Sequence, residues 1–425
     1  MIIDRTFAPP LQQISKPSYI KPNRLQLLNA IEIYATKAGR EEMIRIDWVF
    51  RAGSWYQDKA LIANLTCAML QVGSSKHNSK EIAEIFDFHG AYIQTSCAHH
   101  HAVISLICLK KHLIKLLPVV EDLIKYPSFP EKELNSLLAR RRQRFAVEME
   151  KVKTLCQKAF AKALFGTNHP YNGSVKLEDF DCIELSDLKS FYHKYYNANN
   201  CEIQLVGQYD DETISLLNQY FGSKDWQGEA SQTVNYPIIS SSNNMIRVNK
   251  PDAIQSAIRV GKRIENRFHP DYFDLKITTA LLGGYFGSRL MSNIREDKGY
   301  TYGIGAGYVT NPEAGYFLIA TEVDKQYEEA TLKEIQFEIS RLQNEPVDKE
   351  ELHTLKQYLV GEFLRNFDGA FQQMAAFRNL HNFGLDYTHY DKYFEHVASI
   401  TPEAIQRVSQ QYLQLNSLIT VIAGC

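Results

Sequence analysis

The stretch from Ile183 to Gly207 lies without gaps on the stretch from Ile400 to Gly424. An internal repeat of this kind restricts the chain to folds built from two copies of one unit. Ile183 and Ile400, Tyr195 and Tyr412, Asn199 and Asn416, and Gly207 and Gly424 coincide, while Leu188/Ile405, Phe191/Val408 and Leu205/Ile422 keep their apolar character. Each copy reads as a helix followed by a strand. In the second copy Thr401 is a natural N-cap and Pro402 takes the first helical position, where its missing N–H costs nothing. Upstream, Phe129 to Leu134 lies at nearly the same offset from Val347 to Leu352. The chain therefore reads as two modules, 1–222 and 245–425, joined by a linker over 223–244. Gly228, Ser240, Ser241, Ser242, Asn243 and Asn244 give that linker its loop character.

Two modules suit a chain of 425 residues, and 44% hydrophobic with 23% charged residues is a globular composition. With 47 basic and 49 acidic side chains the net charge is -2, which gives no electrostatic reason to expect nucleic acid or an anionic membrane as partner. No charge-free window of membrane-spanning length occurs. Met1 to Thr6 lacks the basic start and apolar stretch of a secretory signal, so the expectation is a cytoplasmic protein. Cys67, Cys97, Cys108, Cys156, Cys182, Cys201 and Cys425 are scattered and never spaced Cys-x-x-Cys, which predicts buried thiols. Arg45 to Phe50 and Ala102 to Cys108 read as strands. Lys110 to Tyr126, Pro130 to Lys153 and Thr331 to Asn344 have helical periodicity, and the mixture without strict alternation predicts an α+β fold.

Asn64 to Leu70 predicts an apolar helix, followed by Gly73-Ser74 and a second helix that Asn78 or Ser79 caps and Gly90 ends. This pattern, with Ser79-Lys80-Glu81-Ile82-Ala83-Glu84 and then His89-Gly90-Ala91, resembles the N-terminal domain of the M16 (insulinase/pitrilysin, mitochondrial-processing-peptidase-like) metallopeptidases. In active members the first helix carries His-x-x-Glu-His, two zinc ligands and a water-activating glutamate. The matching positions here are Asn64, Cys67 and Ala68. Neither imidazole nor the general base is present, so the resemblance implies no metal bound by this chain. The third family ligand, a downstream glutamate, counts to Arg144 or Thr154, neither of them a ligand, and Glu148 and Glu150 read as a solvated helix face.

Leu281-Leu282-Gly283-Gly284-Tyr285-Phe286-Gly287-Ser288-Arg289, continuing to Asn293-Ile294-Arg295-Glu296-Asp297-Lys298-Gly299-Tyr300-Thr301-Tyr302, is similar to the C-terminal signature of the same family. The residues predict a helix to about Lys298, stopped by Gly299, and then a strand. Tyr300, Tyr302, Ile304, Ala306 and Tyr308 would share one strand face, leaving Thr301, Gly303, Gly305 and Gly307 on a nearly bare one. The resemblance assigns to Arg295 and Tyr302 the role of binding the substrate carbonyl at a zinc site. A guanidinium and a phenol are suitable donors to an oxygen that gains negative charge. The structural alternative is Arg295 paired with Glu296 or Asp297 and Tyr302 capping a core.

The resemblance covers nearly the whole chain and implies two homologous modules, each a mainly antiparallel sheet with helices packed on one face (LuxS/MPP-like metallohydrolase fold). It implies a non-catalytic subunit of a heterodimeric zinc endopeptidase. Zn²⁺ would reside in a homologous partner subunit, unfolded peptides would be the substrates, and a homodimer is left open. The competing readings are a structural or peptide-binding scaffold, and a self-sufficient hydrolase around His99 and His101. His99-His100-His101 reads as part of a strand in which only His99 and His101 share a face. Arg140-Arg141-Arg142-Gln143-Arg144 reads as a solvated helix face or a partner for Glu148, and Cys67 as a buried thiol.

Overall fold

The computed structural model describes residue 6, residues 16–232 and residues 234–424; Met1–Arg5 of the expected start and Cys425 lie outside them. The first part of the chain runs through β1 (Asn23–Gln26), β2 (Glu32–Lys37), β3 (Met43–Phe50), α1 (Ile62–Met69), α2 (Ser79–Phe88), β4 (Tyr92–Cys97) and β5 (Ala102–Leu109). It continues with α3 (Leu113–Lys125), α4 (Glu131–Met149), α5 (Val152–Phe165), α6 (Leu185–Tyr195), β6 (Cys201–Gly207) and α7 (Asp211–Phe221). The second part holds β7 (Met245–Asn249), β8 (Gln255–Ile264), α8 (Tyr272–Gly283), β9 (Ile304–Thr310), β10 (Gly315–Asp324) and α9 (Glu328–Asn344). It closes with α10 (Lys349–Arg365), α11 (Ala370–His381), α12 (Thr388–Ser399), α13 (Pro402–Tyr412) and β11 (Ile419–Gly424). No helix among the described residues is long and apolar enough to cross a membrane.

The two sheets share one strand order. The first is β1-β2-β6-β3-β5-β4 and the second β7-β11-β8-β10-β9, so that, apart from the added β1, each strand has a counterpart. In both, the closing strand inserts parallel to the opening one and antiparallel to the next. The repeat's terminal glycines follow from this insertion. A Cβ on Gly207 would lie 2.1 Å from the Met43 carbonyl oxygen, and one on Gly424 would lie 2.5 Å from Ser256 Oγ. The helix that precedes each closing strand starts as its sequence dictates, Thr401 Oγ1 accepting from the Ala404 N–H at 3.3 Å. Asn78 caps α2 in a reciprocal box with Glu81.

Each sheet packs its own helices on one face. Ile33, Ile46, Trp48 and Leu106 join Leu65, Leu117, Leu188 and Leu217 in one core, and Ile258, Phe317 and Ile319 join Ile277, Ile339, Leu355 and Ile405 in the other. The opposite faces receive a helix from the other module. α5 lies on β8 and β11, where Cys156, Phe160 and Leu164 form a third apolar cluster with Ala257, Val421 and Ala423. Strand alternation separates the two layers on β11, with Ile422 in one cluster and Val421 in the other. Phe160 is 2% exposed in this seam, and truncating a buried phenylalanine costs about 3–5 kcal/mol.

The reciprocal contact is polar. α11 lies on β2 and β6, where Arg378 donates to Gln204 Oε1 at 2.6 Å and to Asp47, and His381 meets Glu202 at 2.8 Å. Asp47 is 1% exposed and also accepts from Arg45 Nε at 3.0 Å. The single helix expected over Pro130 to Lys153 is broken: Lys151 turns extended (φ -87°, ψ 126°) and caps α5, which frees α5 to leave its own module.

Candidate functional site

Asn64, Cys67 and Ala68 stand on α1, whose first turn follows Leu61 in a left-handed conformation (φ 74°). Their spacing of three and four residues places them along one side of the helix. Asn64 is exposed and Cys67 is 1% exposed. Burial pushes the Cys67 thiol up to about 11, and its Sγ donates to the Ser96 carbonyl at 3.3 Å. A protonated thiol already engaged with backbone is neither a nucleophile nor a metal ligand at neutral pH.

The residue that reaches α1 from α4 is Arg141, whose Nη1 donates to Asn64 Oδ1. The phase of α4 turns Arg141 toward α1. Burial lowers the pKa of this guanidinium, with Arg140 and Arg144 adding to the effect and the Cys67 and Cys97 thiols opposing it. An arginine nevertheless stays charged at any physiological pH. These residues do not fit Zn²⁺, which needs three or four deprotonated N, O or S ligands. Asn64 offers an amide oxygen already bonded to a cation, Ala68 offers nothing, and the guanidinium repels a second positive charge.

Arg295 and Tyr302 lie in the second module. After α8 and a tight turn the chain forms a π-helical segment over Met291–Asp297, seen in the Lys298 N–H bonding the Asn293 carbonyl at 3.0 Å. Such wide turns interrupt regular side-chain stacking and recur at functional positions. Arg295 extends over the ring of Phe286 at 4.8 Å, and Phe286 is itself exposed. Among the described residues Arg295 makes no ion pair, so neither Glu296 nor Asp297 claims it.

Tyr302 is 96% exposed. Contrary to the sequence expectation it does not share a strand face with Ile304, because β9 begins only at Ile304, which is 4% exposed. Thr301 sets the difference. Its Oγ1 donates to the Glu322 carbonyl at 2.7 Å and accepts from the Gly303 N–H at 3.1 Å, pinning the backbone while the neighbouring phenol projects outward. Tyr300 turns inward and stacks on Tyr327 at 4.6 Å. Behind the segment α8 closes on β9 at Gly283, where a Cβ would meet the Ala306 nitrogen at 2.4 Å, while a Cβ on Gly303 would meet nothing. Tyr302 and Gly303 border a cleft of about 420 Å³ that Lys153, Arg259 and Glu322 also line.

His99, His100 and His101 are in the turn between β4 and β5 and not in a strand. Each ring has a different hydrogen-bonding environment, although His99 and His100 both pack on Tyr171 and His100 and His101 border one cavity. His99 Nδ1 meets Ser54 Oγ at 3.1 Å, His100 Nε2 meets the Tyr171 hydroxyl at 2.7 Å under the Trp55 ring, and His101 opens into a cavity with Glu202 and His381. No described group of His, Cys, Asp or Glu is arranged to hold a metal ion. The basic run also resolves into separate roles: Arg142 pairs with Asp181 at 3.3 Å, while Glu148, its expected partner, takes Lys151 at 2.6 Å.

The family model described as Insulinase (Peptidase family M16) matches residues 35–172, and the one described as Peptidase M16 inactive domain matches residues 183–359. An uncharacterized zinc protease of Rickettsia felis is 24% identical over 393 residues, covering 91% of this chain and 90% of that protein. The non-peptidase homolog YmxG of Helicobacter pylori is 24% identical over 338 residues, covering 76% and 75%. The crystal structure of a peptidase M16 inactive domain from Pseudomonas fluorescens superposes with a TM-score of 0.85 at 23% identity, over 95% of this chain and 98% of that one. The two family matches together span well over half the chain, and with the shared two-module fold they make this protein a member of the M16 peptidase family.

Proposed function

We propose that this chain is the non-catalytic subunit of a heterodimeric M16 zinc endopeptidase that acts on unfolded peptides. A homologous partner subunit holds Zn²⁺, and this chain supplies Arg295 and Tyr302 to bind and polarise the scissile carbonyl. One observation carries the reading: the module whose metal positions are replaced belongs to a chain that presents Arg295 without a counter-ion and Tyr302 almost fully to solvent. A scaffold would gain nothing from leaving both donors unpaired. Donors held in place before the reaction stabilise an oxyanion without a reorganisation cost.

The test is peptidase activity on an unstructured fluorogenic peptide, with this chain, a separately purified His-x-x-Glu-His subunit from the same source, and their mixture. The expected result is activity in the mixture alone, abolished by chelator. Activity in this chain alone overturns the assignment. A stable but inactive complex transfers the reading to a peptide-binding scaffold, which the name of the Helicobacter pylori relative, a non-peptidase homolog, favours.

A further inference from the structure

A cavity of about 320 Å³ opens among α8, α10, α11 and α12, away from the residues assigned above. Three of its lining residues are cationic, Arg267, Lys276 and Arg365, and none is acidic. Among the described residues none of the three takes part in an ion pair. Arg267 is fixed entirely by neutral groups. Its Nε donates to Thr310 Oγ1 at 2.9 Å, its two terminal nitrogens donate to the carbonyl and side-chain oxygens of Asn379 at 3.1 and 2.9 Å, and Phe383 lies under it at 4.1 Å. Lys276 extends over the Tyr393 ring at 4.1 Å. Removal of water by the surrounding helices, with Arg267 adding repulsion and Glu362 opposing it, lowers its ammonium to about 8. His389, packed against Phe273 at 4.9 Å, is pushed down to about 4 by burial and then by Arg267 and Lys276, so it stands neutral among cations.

Like charges gathered on one concave wall with no acidic residue in the lining repel one another, and an anion placed between them relieves the repulsion. The rest of the lining mixes aromatic rings, among them Phe273, Tyr390 and Tyr393, with the amides of Asn366, Gln372 and Asn379. The volume is at the small end for ligand sites, enough for one ring and its substituent. We infer that this cavity binds a small aromatic phosphate, with Arg267, Lys276 and Arg365 taking the dianion and the ring resting against the aromatic side chains of the lining. Three positive groups match a dianion better than a single carboxylate. The inference stands apart from the peptidase reading, since no residue of one site belongs to the other.

Calorimetric titration of the full chain at low ionic strength with phenyl phosphate, inorganic phosphate and phenol tests it. Saturable binding of phenyl phosphate is expected, about tenfold tighter than inorganic phosphate, with no heat from phenol. Lys276→Gln and Arg365→Gln are each expected to weaken phenyl phosphate about tenfold with the thermal melting point unchanged. Among the described residues neither side chain takes part in an ion pair, and glutamine keeps most of the Lys276 stem that lies on Tyr393, so these variants keep the fold; Arg267 is left intact because it ties Thr310 to Asn379. Absence of saturable phenyl phosphate binding, or binding indifferent to both substitutions, overturns the site. Equal affinity for inorganic phosphate overturns the aromatic part of the assignment.

Discussion

Arg141 on α4 donates a hydrogen bond to the side-chain oxygen of Asn64 on α1. A permanent positive charge thus stands where active relatives are expected to gather negative and neutral ligands around a metal. Restoring the helix motif alone, with Asn64→His, Cys67→Glu and Ala68→His, is therefore expected to leave the chain without stoichiometric zinc. Adding Arg141→Glu supplies a third ligand and removes the repulsion, and only this quadruple variant is expected to retain one zinc per chain after dialysis. Metal analysis of the two proteins separates the outcomes; full zinc loading of the triple variant would sink the role given to Arg141.

In the reconstituted enzyme Arg295→Ala is expected to lower turnover by about 10²-fold or more, the scale of losing one oxyanion donor. Tyr302→Phe removes a hydroxyl and nothing of the packing, and is expected to lower kcat with little change in KM. Both side chains are free of intramolecular hydrogen bonds among the described residues, so assembly measured by gel filtration should be unaltered. Wild-type turnover of the Arg295 variant refutes the assignment.

Asp47 lies 1% exposed between Arg45 and Arg378. Asp47→Ala leaves two guanidinium groups facing an apolar methyl and is expected to cost about 3–5 kcal/mol in denaturant unfolding. Arg378→Ala should cost less, because Arg45 still neutralises the carboxylate. A smaller loss for Asp47→Ala than for Arg378→Ala would contradict this ordering.

Acid should begin to weaken the fold above the range in which carboxylates titrate. Burial pushes His100, His101, His169 and His389 down to about 4 from an ordinary 6.5. Between these values the unfolded chain binds protons that the folded chain refuses. The stability these groups contribute is complete above pH 6.5 and is lost as the pH falls toward 4. The urea midpoint is expected to drop across that window. His169 Nδ1 accepts from the Tyr171 N–H at 3.1 Å, so His169→Asn keeps an acceptor and should make the drop shallower; an unchanged slope argues against a contribution from His169.

The repeat was readable because its identities sit where backbones meet. Gly207 and Gly424 are required by the approach of β3 and β8, whatever the rest of each strand contains. Arg141 was not readable, since α4 is polar nearly all round with Leu134 its one buried residue, and no apolar stripe fixes the phase of such a helix. Tyr302 imitates strand alternation with Tyr300 and Ile304, and only the hydrogen bonds of Thr301 reveal that the chain is still turning there. The apolar side of α5 was equally silent on its destination. Cys156 and Phe160 ask to be covered, but sequence does not say that the cover is a sheet formed some hundred residues later.

That exchange of helices sets where the molecule can bend. With α5 seated on the second sheet and α11 on the first, a cut in the segment between Phe221 and Met245 would leave two pieces still clasped through two separate seams. Neither half is a portable domain, because each would expose the bed of a missing helix. Swinging one half away from the other would have to uncover both seams at once.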